Sequence, residues 1–390
     1  MSRFNHVVVV AYGRSAIARS GKKGALRQMH PVELGGQVLA GVLKKVPQLE
    51  PSLIEDVVVG CAQQDLGQSY NLARQVASAA GLPHSVPAMS LNRFCSSGLQ
   101  AIAVAAGQIE SGMNEIMVAG GVESMTAVPM TYDLSAYRSS YVKEHDPDQY
   151  MAMGLTAENV AARYGITREQ MEALAVESHK RAAAAQDAGK FDEEIISLPG
   201  VDAEGNAIVF NKDQGIRRST SMETLATLQP CFKQDGIVTA GTSSQTSDGA
   251  GFVVLMTPEK AKELGIRPIA KFIGFAAAGC EPGYMGEGPM YAVPKVMEKT
   301  GLTVDDMDII ELNEAFAAQA IPCMNKLGMD PAKVNPNGGA LALGHPLGAT
   351  GAFLTCKILS ELKRRNGKYG LVTMCVGGGM GAAGIYEMCE

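Results

Sequence analysis

The chain has 390 residues, enough at roughly 150 per domain for two or three packed units. With 46% hydrophobic and 19% charged residues, 44 glycines and no tryptophan, it is neither disordered, collagen-like nor a coiled coil. Lys and Arg number 34 against 40 Asp and Glu, a net charge of −6, which excludes a basic field for nucleic acid and requires any anionic ligand to be held locally.

In chain order, Val7 to Ala11 reads as a buried strand, too short for the core of a secretory signal. A helical pattern over Pro31 to Lys45, a strand at Asp56 to Gly60, a helix at Leu72 to Ala80 and a strand at Ile116 to Gly120 follow. That alternation predicts an α/β layer with a largely parallel sheet. Ser97 to Ile109 is apolar nearly all round, the mark of a helix buried on every side. The middle third interleaves acids and bases; Thr167-Arg-Glu-Gln170 makes a capping box and Gly189 a stop, which predicts an inserted, more solvated subdomain. From Pro268 the α/β texture returns, with strands at Ile269 to Phe275, Ile309 to Leu312 and Leu371 to Cys375 and helices at Ala292 to Lys299 and Ala315 to Leu327. The glycine-rich run Leu371 to Tyr386 falls short of a spanning helix, so no membrane contact is expected.

Two segments look like copies. Asn92-Arg-Phe-Cys95-Ser-Ser-Gly98 opens an apolar helix before a strand ending Gly120-Gly121, and Gly344-His345-Pro-Leu-Gly348 opens another before Cys375-Val-Gly377-Gly-Gly379. Cys95 to His345 and Gly98 to Gly348 are each 250 positions apart. A duplicated domain with an insertion between its halves is expected, each half placing a reactive residue at a helix N-terminus near a pseudo-symmetric seam.

Cys95 is the leading nucleophile, because free N–H groups and the dipole of a helix start lower a thiol pKa. A small packed hydrophobe is the alternative, weakened by Ser96, Ser97 and Gly98, which leave space around it. His345 sits in a Gly- and Pro-defined loop and as neutral imidazole can deprotonate a thiol, although a lone histidine is more often structural. Cys375 precedes Gly377-Gly-Gly379, whose bare N–H groups suit an oxyanion hole, and two cysteines with a histidine suggest a nucleophile and a separate acid/base. Asn313 closes a strand and is as readily an N-cap as a functional group. Gly379-Met-Gly381-Ala-Ala-Gly384 matches a dinucleotide fingerprint, but six residues after it leave no room for the rest of that unit. The eight cysteines contain no C-x-x-C pair, disfavouring zinc and thioredoxin-like sites; a reducing, cytoplasmic setting is expected. Met388-Cys389-Glu390 is not a peroxisomal tripeptide.

Together Asn92 to Gly98, Gly120-Gly-Val-Glu-Ser-Met125, Asn313-Glu-Ala-Phe-Ala317, Asn335 to Gly351 and Cys375 to Gly381 closely resemble the thiolase family, over nearly the whole chain. The resemblance implies an α/β thiolase fold with duplicated halves in a five-layered α-β-α-β-α core: residues 1–120 plus 250–267, an inserted CoA-binding loop subdomain at 121–249, and 268–390. It implies a homotetramer built from tight dimers, with acyl-CoA and CoA as substrates and no tightly bound cofactor or metal. The implied activity is 3-ketoacyl-CoA cleavage in fatty acid β-oxidation. Cys95 would carry the acyl group, His345 would activate Cys95 and then CoA, and Cys375 would protonate the acetyl-CoA enolate. Asn313 would hold a water that binds the thioester oxygen with His345, and the N–H groups of Cys95 and Gly377 would bind the oxyanion. Arg217, Phe232, Ala240, Ser244, Met153 and Phe316 would contact CoA or the acyl chain, Arg217 alternatively being a solvated surface charge. Ala152, where acetoacetyl-CoA specialists typically have His, leans toward a broad or longer-chain degradative enzyme. Arg14-Ser15-Ala16 departs from the usual Arg-Thr-Pro, with an expected effect on loop rigidity alone. A biosynthetic acetoacetyl-CoA thiolase, a ketoacyl synthase and a non-catalytic lipid-binding relative are the alternatives.

Overall fold

A computed structural model describes residues 3–130 and 138–389. The first half runs β1 (Val8–Arg14), β2 (Ala18–Arg19), α1 (Pro31–Leu43), β3 (Asp56–Gly60), α2 (Leu72–Ala79), β4 (Ala88–Leu91), α3 (Ser97–Glu110) and β5 (Ile116–Ser124). The middle carries α4 (Ser140–His145), α5 (Met153–Tyr164), α6 (Arg168–Asp187), the hairpin strands β6 (Leu198–Val201) and β7 (Ala207–Phe210), and α7 (Met222–Ala226). Then β8 (Ser247–Met256) re-enters the main sheet and α8 (Pro258–Glu263) follows. The second half is β9 (Ala270–Gly279), α9 (Gly288–Thr300), β10 (Ile309–Leu312), α10 (Ala317–Leu327), α11 (Ala340–Leu343), α12 (Thr350–Arg365), β11 (Tyr369–Val376) and β12 (Met380–Met388). The capping box opens α6 as the side chains require: Thr167 accepts from the Gln170 N–H, and Gln170 accepts from the Thr167 N–H. β5 and β8 run past 120 and 250, the limits expected for the inserted segment.

The main sheet is mixed, a correction to the largely parallel one expected. Its order is β10-β11-β12-β9-β1-β8-β5-β3-β4, with β2 on β8. Only β3 with β4 and β5, and β10 with β11, are parallel. The difference comes from β8 and β12, which open as Ser-Asp-Gly-Ala-Gly and Met-Gly-Ala-Ala-Gly and lack the branched side chains that mark a strand. β12 follows β11 through the tight Gly377-Gly378-Gly379 turn and must therefore run antiparallel to it.

The duplication is visible in that order. β4-β3-β5-β8-β1 in one half corresponds to β10-β11-β12-β9 in the other, where a single parallel bridge between Ile310 and Val334 stands in β4's place. The 3-10 turns Phe94–Ser96 and Leu347–Ala349, the starts of α3 and α12, and the starts of β5 and β11 are all separated by 253 positions. The sequence register of 250 is thus three residues short. It aligned Gly98 with Gly348, whereas Gly98 and Gly351 occupy the second positions of their helices. Cys95 therefore corresponds to Gly348, and His345 to Asn92.

Three cores define the layers. One packs α1 and α2 on the first half-sheet, one packs α9 and α10 on the second, and the third surrounds α3 and α12 with side chains from both. The two central helices meet at their starts, backbone on backbone. A Cβ added at Gly98 would lie 2.9 Å from Gly348 O, and one at Gly351 would lie 2.2 Å from Leu99 N. Glycine at both positions lets the turns bearing Cys95 and His345 abut.

Arg14 ties the inserted segment to β1. Fully buried, it donates from Nε to Glu194 (2.8 Å) and from both terminal nitrogens to Asp213 (2.8 and 3.0 Å), between the rings of Phe191 and Phe353. Ser15 exchanges hydrogen bonds with the Ala250 backbone.

Candidate active site

The turn bearing Cys95 is held under local strain. Asn92 Oδ1 accepts the Phe94 N–H at 2.7 Å, fixing Phe94 at a left-handed φ of 42° immediately before Cys95. The Cys95 thiol is half-buried, with the backbone N–H groups of Gly377 and of Cys95 itself nearby. Both favour thiolate, as expected of a helix start, but burial outweighs them and pushes the thiol up to about 11. The lowered pKa expected from sequence is corrected accordingly: before a ligand binds, Cys95 is a neutral thiol.

Cys375, the next-to-last residue of β11, is fully buried. Its thiol lies well above the ordinary range because of burial and, next, the neighbouring Cys95. Gly377 begins the turn to β12; a Cβ there would lie 3.5 Å from Met153 Sδ and 3.9 Å from the Phe94 ring. Gly378 and Gly379 have φ of 75° and 76°, a conformation that glycine alone adopts readily.

His345 is anchored through its backbone, whose N–H reaches Gln245 O (3.0 Å) and Ser247 Oγ (3.2 Å). Its ring lies with Nδ1 2.6 Å from Thr350 Oγ1 and Nε2 3.4 Å from Asn313 Nδ2. Burial lowers the imidazole to about 4, so it is neutral at physiological pH and able to accept a proton. Among the described residues no direct hydrogen bond joins His345 to Cys95. Asn313 is not an N-cap, since Phe316 occupies that position for α10. It is fully buried at the end of β10, with Oδ1 lacking a hydrogen-bond partner among the described residues. Asn335 fixes this strand end by accepting from Leu312 N–H and donating to Leu312 O and Glu314. Ser178 on α6 donates to the other Glu314 oxygen at 2.7 Å, buttressing the loop from the inserted segment.

The remaining expected residues lie between the start of α5 and the loop before β8, and at the N-cap of α10. Phe316 and Phe232 meet edge to face at 5.9 Å, and the Phe232 ring lies over Gly154, where a Cβ would come within 2.1 Å of it. Met153 packs in the same cluster as Phe316 and Cys375. Ser244 donates its N–H to Ala315 O, and Ala240 is exposed at the start of a short 3-10 turn. Arg217 is exposed and donates its backbone N–H to His179. Its guanidinium has no hydrogen-bond partner among the described residues, while adjacent Arg218 is engaged bidentately by Asp187. Burial and nearby Arg19 lower the Arg217 pKa.

A profile for the thiolase N-terminal domain matches residues 7–259, and one for the thiolase C-terminal domain matches residues 266–388. The chain belongs to the thiolase family. It is 46% identical over 390 residues to a 3-ketoacyl-CoA thiolase of Bacillus subtilis (strain 168), covering 98% of this chain and 99% of that one. It is 43% identical over 388 residues to the peroxisomal 3-ketoacyl-CoA thiolase 2 of Arabidopsis thaliana, covering 98% and 84%. The crystal structure of the Bacillus anthracis acetyl-CoA acetyltransferase superposes with a TM-score of 0.91 at 40% identity, covering both chains completely. No helix among the described residues is long and apolar enough to cross a membrane.

Sequence reasoning missed three residues in this thiolase. Glu123, fully buried, accepts N–H groups of Ala62 and Gly348 on one oxygen (2.8 Å each) and of Gln63 (3.2 Å) and Gln68 Nε2 (2.9 Å) on the other. An acid inside the apolar run Ile116–Ser124 was the available signal. Thr350, beside His345 Nδ1, lies within the Asn335 to Gly351 motif but was not singled out there. Arg19 on β2 lies near Arg217 only through the fold.

Proposed function

We propose that this protein is a 3-ketoacyl-CoA thiolase, an acyltransferase catalysing reversible CoA-dependent Claisen cleavage of 3-ketoacyl-CoA to acyl-CoA and acetyl-CoA. The observation that carries the reading is the approach of the turn bearing Cys95 to Gly377, beside a second buried thiol, Cys375. His345 takes the Cys95 proton as sulfur attacks the 3-keto carbon. The N–H groups of Cys95 and Gly377 stabilise the oxyanion, which collapses with cleavage of the C2–C3 bond. Cys375 gives its proton to the enolate carbon of the departing acetyl-CoA, and the proton on His345 restores Cys375. Neutral again, His345 takes the CoA thiol proton; the CoA thiolate displaces Cys95 from the acyl group, and that proton returns to Cys95. Asn313, through its unpartnered Oδ1, holds a water that joins His345 at the thioester oxygen.

CoA enters as co-substrate past Phe232, Met153 and Phe316, with Ala240 and Ser244 along its path and its phosphates at Arg217 and Arg19. An anion between these two arginines relieves their mutual repulsion, which adds to burial in lowering the Arg217 pKa. The inserted segment, near residues 121–249, is the CoA-binding subdomain between halves at 1–120 with 250–267 and at 268–390. The protein works in the cytoplasm as a homotetramer in fatty acid β-oxidation; Tyr70 and Leu66, 94% and 53% exposed beside edge strand β4, supply apolar surface for subunit contact. Ala152, exposed at the N-terminus of α5, favours a range of chain lengths. Similarity to the acetyl-CoA acetyltransferase supports a second reading, acetoacetyl-CoA synthesis by the same residues.

The test is CoA-dependent loss of four-, six-, ten- and sixteen-carbon 3-ketoacyl-CoA, with Cys95→Ala alongside. Cleavage of several lengths, absent in the variant, is expected. Activity on four carbons alone would transfer the assignment to the second reading, and no cleavage of any length would overturn both.

A further inference from the structure

The two halves use the same helix-start hydroxyl differently. In the first half Ser97, the first residue of α3, donates to Phe94 O at 2.7 Å and accepts the Arg93 N–H at 2.9 Å. Its hydroxyl is consumed in holding its own turn. The counterpart 253 positions on is Thr350, the first residue of α12. Arg93 there becomes Pro346, which has no N–H to give. Thr350 is buried, and its hydroxyl lies 2.6 Å from His345 Nδ1. The proline that shapes the turn after His345 thereby frees the hydroxyl from the capping role its twin performs.

We propose that Thr350 is a positioning residue that holds the His345 ring by Nδ1 in every protonation state, keeping Nε2 aimed at Asn313 and the reacting atoms. This rests on reading His345 as the proton acceptor. A hydroxyl suits the task because it accepts as well as donates. When Nδ1 bears the proton, in the neutral ring or the imidazolium, the Thr350 oxygen accepts it. When Nε2 alone bears it, the Thr350 O–H donates to the Nδ1 lone pair. A carboxylate at this place would favour the imidazolium, and a backbone carbonyl would permit only the Nδ1–H form. The hydroxyl leaves Nε2 free to receive a proton in one step and present one in another, with no buried ring nitrogen orphaned.

The experiment compares Thr350→Val, which keeps shape and removes the hydroxyl, with Thr350→Ser, which keeps the hydroxyl, and with His345→Ala. Steady-state thiolysis and thermal unfolding midpoints are measured for each. Misplacing one reacting group costs on the order of a hundredfold in rate, so T350V should lose about tenfold to a hundredfold in kcat. KM for CoA should stay within about twofold and the midpoint near wild type, and T350S should recover to within about threefold of wild type. T350V with wild-type kcat beside an inactive H345A, or T350S as slow as T350V, overturns the proposal and leaves the His345 role intact. A fully active H345A overturns that role itself. Should T350V not fold, Thr350→Ala against T350S decides by the same contrast.

Discussion

Glu123→Ala tests whether one buried carboxylate joins the two halves at the active-site seam. Its oxygens take four N–H donors, from the backbones of Ala62, Gln63 and Gly348 and the Gln68 amide, and the weaker Cys61 thiol, which is left out of the count below. Alanine leaves them without this acceptor. Burial holds the carboxyl above its usual range, so removing it returns some desolvation cost, and each donor is counted at the low end, about 1 kcal/mol. The loss is then about 4 kcal/mol. For a chain of this length the unfolding entropy is about 0.8 kcal/mol per degree, so the midpoint should fall by about 5 °C. Because Gly348 lies three residues beyond His345, kcat should fall with it. Glu123→Gln, whose remaining carbonyl oxygen serves two of the four donors, should lie between. Scanning calorimetry at fixed protein concentration reads the shift, and a midpoint for E123A within about 1 °C of wild type would refute the reasoning.

The two thiols should separate by step: Cys95→Ser loses thioester formation, whereas Cys375→Ser keeps acylation by acetyl-CoA and loses exchange of its α-protons, read by mass spectrometry and deuterium incorporation. With Cys95 pushed up to about 11 and His345 down to about 4, the reactive thiolate grows with pH while the imidazole stays neutral. Iodoacetamide alkylation of the free enzyme should therefore climb about tenfold per unit between pH 7 and 10, and a plateau across that range would instead indicate a preformed thiolate–imidazolium pair. Arg217→Ala should raise KM for CoA about tenfold with kcat held, while Arg218→Ala, already committed to Asp187, should change KM less than twofold; equal effects would remove Arg217 from the phosphate site.

Much of the framework was legible because its strands are branched and apolar. Asp56–Gly60 and Ile309–Leu312 match the sequence expectation at both ends. Pattern failed at β8 and β12, where small residues are dictated by neighbours: Gly249 and Gly251 face Phe353 and Ala352 of α12. The repeat was readable and its register was not, since Gly348 and Gly351 are both glycine for different reasons, one to meet the Cys61–Ala62 backbone and the other to meet Leu99. The residue types Cys95, His345 and Cys375 suggested covalent chemistry, which stands as the proposal above, but the direction of the Cys95 pKa required the burial that only packing reveals. Thr350 was invisible because its meaning depends on Pro346 having replaced the donor present in the other half.

The contrast between the interior donors and the surface arginines has a bearing on ionic strength. On the proposed mechanism, charge developing at Cys95 meets fixed backbone N–H groups at a half-buried turn, where no side-chain ion pair is involved. The Arg217 guanidinium stands at the surface, within reach of an ion atmosphere about 10 Å thick at 0.1 M salt. Added salt should thus tax the capture of CoA and spare its chemistry, so that the enzyme meets a saltier cell as a scarcity of substrate rather than a slower catalyst.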